Sequence, residues 1–313
     1  MFRKSRLKKE LRVLSLLVMV PTRWRRENCE RLLKSFMEAT DHAELVFITD
    51  ADDQDTYADM DWGDATNAIL DMGDLRVGTT AKVNHVSAVA IDDYDAFMYI
   101  GDDHLFSTPH WDTILLGELE KMGGSGMIYG DDKRRVDIPE MIVITSDVVE
   151  MLGHFAEPTL AHYYIDNVWA ELGRRSGLLR YFPEVVFEHL HYQVHPEVEH
   201  DQTYVSAENL WGQADLAAFH KWRDSVMALE VAKLRRGFNR DVQWILGKVL
   251  CVAYVIGQIS VASATVPVFT IPAGLCNVTF WNPAAGTVYI GTSTAVTTSN
   301  GLQCHSIPTS FFT

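Results

Sequence analysis

Phe97-Met98-Tyr99-Ile100-Gly101-Asp102-Asp103-His104 sets four apolar or aromatic residues against a glycine, two adjacent carboxylates and an imidazole. An unbroken apolar run is what a strand buried on both faces requires, and the glycine and acids that follow cannot continue it. The stretch therefore predicts a buried strand over residues 96–100 whose carboxyl end delivers Asp102 and Asp103. Ligands of open α/β sheets bind at the carboxyl ends of strands. Two acids and a histidine at that edge are a candidate grip for a hard divalent ion held against a diphosphate.

Working outward, the same pattern recurs. Residues 13–20 form a continuous apolar run, read as a buried strand and not as a signal peptide, since Pro21-Thr22-Arg23-Trp24-Arg25-Arg26 follows where a small-residue cleavage site would stand. Leu32, Leu33, Phe36 and Met37 give residues 27–39 a helical spacing, and 44–49 is a second apolar run ending in Asp50-Ala51-Asp52-Asp53. Strand, helix, strand opens an α/β domain with a parallel sheet. Helices are expected over 79–91, 111–122, 146–155 with Ser146 as N-cap, 165–176 stopped by Gly177, and 206–234 with Ser206 near its start. Short strands are expected at 127–129, 141–145 and 180–186, the last leading into Glu188-His189-Leu190-His191.

Further candidate site residues lie at the ends of these elements. His189 and His191 stand at i, i+2, so in extended chain both imidazoles point to one side: they can share a metal with the Asp102-Asp103 pair, or one can bind metal and the other phosphate. Asp166 opens a predicted helix amid Tyr163, Tyr164 and Trp169, either as a helix cap or as a general base for an acceptor hydroxyl with aromatic rings as a sugar platform. Asp50, with Asp52 and Asp53 as alternatives, can accept hydrogen bonds from a nucleotide base, while Lys82 and Arg23 or Arg25 can face a diphosphate.

Composition narrows the function classes. A net charge of −15 disfavours general nucleic-acid binding, because phosphates would be repelled. Four cysteines without CxxC spacing support neither a zinc ribbon nor a disulfide framework. Residues 244–262 are apolar but interrupted by Gly247, Lys248, Gly257 and Gln258, so no membrane span is expected. GxGxxG after the first strand, GxxxxGK[ST] and GxSxG are all missing, which disfavours a dinucleotide site, a P-loop and an α/β-hydrolase.

Past Gly237 the chain changes character. From Gln258 it loses nearly all charge and alternates Val, Thr, Ser and Gly over 266–271, 276–281 and 287–290, with turn residues between. The expected division is a first domain over 1–236, a connector over 237–257 and a small all-β module over 258–313.

Residues 11–205 resemble a GT-A glycosyltransferase of the family-2-like kind. The resemblance runs through Val18-Met19-Val20-Pro21-Thr22-Arg23, Phe47-Ile48-Thr49-Asp50, Tyr99-Ile100-Gly101-Asp102-Asp103-His104, Tyr164-Ile165-Asp166-Asn167-Val168-Trp169 and Glu188-His189-Leu190-His191. It implies a Rossmann-like fold for nucleotide-diphospho-sugar transfer and a metal-dependent, inverting reaction. The donor would be a UDP- or GDP-sugar, the ion Mn²⁺ or Mg²⁺, and the acceptor a hydroxyl. The family's Asp-x-Asp motif is here Gly101-Asp102-Asp103, lacking its first carboxylate. The resemblance accordingly assigns Asp103 and His189, with His191 as second choice, to the metal. It assigns Asp102 and Asp50 to the donor and Asp166 to the catalytic base; Lys82 and Arg23 complete the expected donor set from their positions alone. The tail resembles β-modules of phage virion proteins through Ile271-Pro272-Ala273-Gly274, Asn277-Val278-Thr279-Phe280-Trp281-Asn282 and Val288-Tyr289-Ile290-Gly291-Thr292. That implies a phage-encoded enzyme in the host cytoplasm, associated with the virion through a phage structural protein. The alternatives are a non-catalytic, virion-associated carbohydrate-binding protein and a nucleotidyltransferase on a similar sheet.

Overall fold

The computed structural model describes residues 14–70 and 78–238, with two further strands at 287–290 and 302–305. The chain divides into two compact units, Met1–Asn239 and Arg240–Thr313.

In the first unit β1 (Leu16–Pro21), β2 (Glu44–Asp50), β3 (Thr66–Leu70) and β4 (Ala96–Tyr99) are parallel neighbours in the order β3-β2-β1-β4. The sheet continues through β7 (Ile142–Thr145), β6 (Met127–Asp131), β8 (Leu179–His189) and β5 (His104–Phe106). β7 runs antiparallel to both β4 and β6, β8 parallel to β6, and β5 antiparallel to β8. The result is a mixed, eight-stranded α/β sheet.

β1 shows why its sequence is apolar throughout. Leu16, Val18 and Val20 enter one core with α1 (Arg26–Ala39) and α3 (Trp111–Lys121), whereas Leu17 and Met19 enter the other with α2 (Thr79–Val89), α4 (Ser146–Leu152) and α5 (Ile165–Ser176). Alternate side chains point to opposite faces, so a strand covered on both sides has no position for a polar residue. Each fully buried Leu, Val or Phe contributes roughly 1.5–3 kcal/mol, which fixes the strand and with it the residues at its end.

Several local expectations need correction. Ser146 is the first residue of α4 and not its cap; Thr145 holds that position, and the Ser146 hydroxyl donates to the Tyr94 carbonyl at 2.5 Å. The long helix expected over 206–234 is two helices, α6 (Gln202–Ser225) and α7 (Met227–Phe238), parted at Val226. Its cap is Asp201, whose side chain accepts from the Thr203 and Tyr204 amides, so the start lies upstream of Ser206. β5 was not expected at all: three residues with no alternation carry too little pattern to mark a strand.

In the second unit, Thr287–Ile290 and Leu302–His305 pair antiparallel, with Val288 opposite Cys304. The strands expected at 266–271 and 276–281, the connector after Phe238 and the apolar stretch 244–262 lie outside the described residues. Among the described residues, no helix is long and apolar enough to cross a membrane.

Candidate active site

The carboxyl ends of β1, β2 and β4 open onto a cleft of about 370 Å³. It is lined by residues following those strands, by the N-terminal ends of α2 and α5, by the 134–140 loop, by the end of β8 and by the first turns of α6. Asp50, Lys82, Arg23, Asp102, Asp103, Asp166, His189 and His191 all line this one cleft.

Asp103 and His189 meet because of strand register. β5 pairs with β8 so that His104 stands opposite His189, and the two imidazoles stack with centroids 4.0 Å apart. Asp103, one residue before His104, then presents Oδ1 at 3.3 Å from His189 Nε2 and 3.2 Å from His104 Nδ1. The far nitrogen of His189, Nδ1, lies 2.8 Å from Glu140 Oε2, and Glu140 is ion-paired with Arg134 through its other oxygen. A carboxylate behind a histidine fixes its ring and the nitrogen it offers forward.

The charges of these groups follow from that geometry. Burial alone would lower the His189 pKa, but the Asp103 charge and hydrogen bonds to Asp103 and Glu140 raise it to about 9. Burial works the other way on Asp103, yet His189 and His104 hold it well below the ordinary carboxylate value. Glu140, against its own burial, is held down to about 2 by its hydrogen bonds to His189 and Arg134. The two carboxylates that flank His189 thus favour its protonated form. His104, by contrast, is driven down by burial and by the His189 charge.

His191 sits differently from the expectation. β8 ends at His189, and the His191 amide turns back to the His189 carbonyl at 2.8 Å, so the i, i+2 alternation of a strand does not extend to it. Its ring meets that of His189 edge-on at 5.1 Å, its Nδ1 accepts from the Gln193 amide, and burial lowers its pKa to about 4.

Asp102 points to the other side of the strand end. Its Oδ2 accepts from Thr22 Oγ1 at 2.7 Å and its Oδ1 from Arg25 Nη1 at 3.0 Å, while burial raises its pKa. Asp50 is held between Arg23 Nη1 at 2.8 Å and Lys82 Nζ at 2.9 Å. Burial pushes the Lys82 ammonium below its usual value against the attraction of Asp50. Arg23 also grips Asp52 through both terminal nitrogens, at 2.6 and 2.8 Å.

Asp166 is the second residue of α5, and the cap position belongs to Tyr164 with φ of 67°. No cap hydrogen bond explains Asp166. Its Oδ1 accepts the adjacent Asn167 amide, and burial lifts its pKa to about 6. A carboxylate poised near neutrality in a cleft is suited to proton transfer.

Gly101 accounts for the missing first carboxylate. A Cβ at this position would come within 2.7 Å of Asp103 Oδ1 and 3.2 Å of His104 Nδ1. An aspartate here would collide with the group its neighbour presents.

A divalent cation fits the residues present. One ligand atom each from Asp103, His104 and His189 falls in a group within 4.8 Å, and all three residues are buried. His104 carries a buried nitrogen, Nε2, with no hydrogen-bond partner among the described residues. A carboxylate with imidazoles suits Mn²⁺ better than Mg²⁺, which prefers oxygen. The overlapping group of Asp132, Glu140 and His189 uses carboxylates already engaged: Glu140 with Arg134, and Asp132 with the Arg134 and Arg135 amides at 2.7 and 2.6 Å. A third group, His154, Glu157 and Glu230, lies away from the cleft lining and ties α7 to the turn after α4.

Glu140, Arg134, Tyr204 and Asp201 are not among the residues expected from the sequence. Arg134 follows β6 but stands in a charged stretch with nothing to single it out, and no motif surrounds the other three. Glu140 sits in an irregular loop, and Tyr204 lies on a helix whose start was placed too late.

No family model and no curated protein matches the sequence. Solved structures resemble it at low levels. TarS of S. aureus aligns at 12% identity and TM-score 0.42, covering 56% of this chain and 36% of TarS. The mannosyltransferase PcManGT from Pyrobaculum calidifontis, in complex with GDP-Man and Mn²⁺, aligns at 12% identity and TM-score 0.40, over 78% of this chain and 81% of that one. Glucosyl-3-phosphoglycerate synthase from Mycobacterium tuberculosis, in complex with Mg²⁺ and uridine-diphosphate, aligns at 14% identity and TM-score 0.43, over 56% and 71%. This chain therefore spans about a third of the length of TarS. At these levels no residue role passes from those proteins to this one, and the site stands on its own geometry.

Proposed function

We propose that this chain is a metal-dependent, inverting glycosyltransferase with a GT-A core. It would move a sugar from a nucleoside-diphosphate donor to a hydroxyl acceptor. The observation that carries the reading is the Asp103–His189 contact, backed by Glu140, in the same cleft as Asp166.

Asp103 and His189, with His104 beside them, are the residues to hold Mn²⁺ or Mg²⁺. When bound, the ion supplies positive charge that offsets the charge developing on a departing diphosphate. Lys82 and Arg25 line the same cleft and add fixed positive charge on the donor side. Asp50, at the end of β2, and Arg23, after β1, are ion-paired in the same cleft, which supports reading them as contacts for the nucleotide.

Asp166 does the proton work. It accepts the acceptor's hydroxyl proton as the acceptor oxygen forms its bond to the anomeric carbon. The bond from that carbon to the diphosphate oxygen breaks on the opposite face, and the electron pair leaves with the diphosphate. Direct displacement of this kind inverts the anomeric centre. The base has to be charged to act, and a pKa of about 6 leaves it so at neutral pH.

The test is a panel of UDP- and GDP-sugars with Mn²⁺ or with EDTA, measuring release of nucleoside diphosphate. Metal-dependent release supports the proposal. Pyrophosphate release would point to a nucleotidyltransferase, and glycan binding without any nucleotide binding to a carbohydrate-binding protein.

A further inference from the structure

The two oxygens of Asp103 are divided between different parts of the molecule. Oδ1 faces the imidazoles of His104 and His189. Oδ2 accepts from the Tyr204 hydroxyl at 2.6 Å and lies 3.7 Å from Arg25 Nη1. Tyr204 is in the first turn of α6, far along the chain.

That hydroxyl is itself held in place. The Arg25 guanidinium lies 4.1 Å over the Tyr204 ring, a cation–π contact, and closes on Asp201 through Nε at 2.8 Å and Nη2 at 2.9 Å. Asp201 Oδ1 caps α6 by accepting from the Thr203 and Tyr204 amides. The rings of Tyr192 and His191 meet Tyr204 at 4.9 and 5.2 Å. A carboxylate so anchored cannot turn about its Cβ–Cγ bond without losing the phenol.

We propose that Tyr204 is a positioning residue: its hydroxyl fixes Asp103 with Oδ1 toward His189, so that Asp103 meets a divalent cation through one oxygen. The inference rests on the metal-dependent reading above. It also ties the cation site to α6, whose Ala207, Glu208 and Trp211 line the cleft.

Tyr204→Phe removes the hydroxyl and keeps the ring, hence its contacts with Arg25, His191 and Tyr192. The experiment is calorimetric titration of Mn²⁺, with no nucleotide, into the full chain and into this variant, together with thermal denaturation of both in EDTA. Groups that orient a metal ligand are worth roughly 10–100-fold in affinity. The expected result is Mn²⁺ affinity weakened by about that factor in a variant that still unfolds cooperatively in EDTA, its midpoint lowered by no more than the loss of one hydrogen bond explains. Equal affinity in the two proteins overturns the positioning role and leaves the metal reading intact. Wild-type protein that binds no Mn²⁺ yet releases nucleoside diphosphate in EDTA overturns both.

Discussion

His189 Nε2 stands 3.3 Å from Asp103 Oδ1, and the antiparallel register of β5 on β8 is the cause. His104 and His189 are opposite each other, so the acid that precedes one is brought to the ring of the other. If this contact is the cation site, each partner is needed. Asp103→Asn and His189→Ala should each weaken Mn²⁺-dependent nucleotide binding by at least about 100-fold, since even groups that merely orient metal ligands cost 10–100-fold. Calorimetry with UDP or GDP, with and without Mn²⁺, reads this directly. Metal-dependent affinity unchanged in both variants would rule the pair out.

Gly101 has no side chain where one would strike Asp103 Oδ1 at 2.7 Å. Its backbone is not in the left-handed region, so alanine is sterically acceptable to the chain itself. Gly101→Ala should therefore leave the fold standing and push the Asp103 carboxylate off His189. The expected outcome is Mn²⁺ affinity lowered about tenfold or more with a circular dichroism spectrum like wild type. Wild-type affinity in this variant would mean that Asp103 Oδ1 is not a ligand.

Asp166 predicts both a pH profile and a trade between activity and stability. As the base it acts only when ionised, so the turnover rate should rise with pH through about 6 and level off above. Asp166→Asn should lower turnover by roughly 10²–10⁴-fold and leave donor affinity unchanged. The stability sign is opposite to that of a salt-bridged acid. A folded pKa above the ordinary 3.8 means that the stability contribution is full below 3.8 and is lost as pH rises through about 6. Above pH 7 the charge is a burden of up to about 3 kcal/mol. Asp166→Asn should consequently melt higher than wild type at pH 8. An unshifted melting point together with a flat pH–rate profile would remove Asp166 from the proposed role.

These residues differ in how visible they are in the sequence. Asp50 and the Asp102-Asp103 pair end apolar runs, and those runs are apolar because β2 and β4 are covered on both faces. That constraint is local, so periodicity reads it. Gly177 stopping α5 in the left-handed conformation is local in the same way, with φ of 78°. Glu140 and Tyr204 are positioned by long-range packing, through His189 and through the Arg25–Asp201 pair; the Asp201 cap is a local signal for the helix start, but not for the contact of Tyr204 with Asp103. The His189/His191 pair shows the limit of spacing arguments. The two side chains share a face only in extended chain, and the chain turns after His189.

Glu140 offers the last prediction, because it acts on the site through His189. In metal-free protein the ordinary His value of 6.5 is raised to about 9 by Asp103 and Glu140. The stabilisation from that imidazolium is complete below pH 6.5 and is lost as pH rises through about 9. Glu140 itself, lowered from 4.5 to about 2, stabilises above pH 4.5 and ceases to as pH falls through about 2. The pair is thus strongest between about pH 4.5 and 6.5. Glu140→Gln keeps a hydrogen-bonding group but removes the charge, costing about 2 kcal/mol near pH 6. Its melting temperature in EDTA should fall less steeply than wild type between pH 6.5 and 9. Added Mn²⁺ has to displace the His189 proton, so binding should release protons below pH 9 and tighten as pH rises. Parallel pH–melting curves for the two proteins would mean that Glu140 does not set the charge on His189.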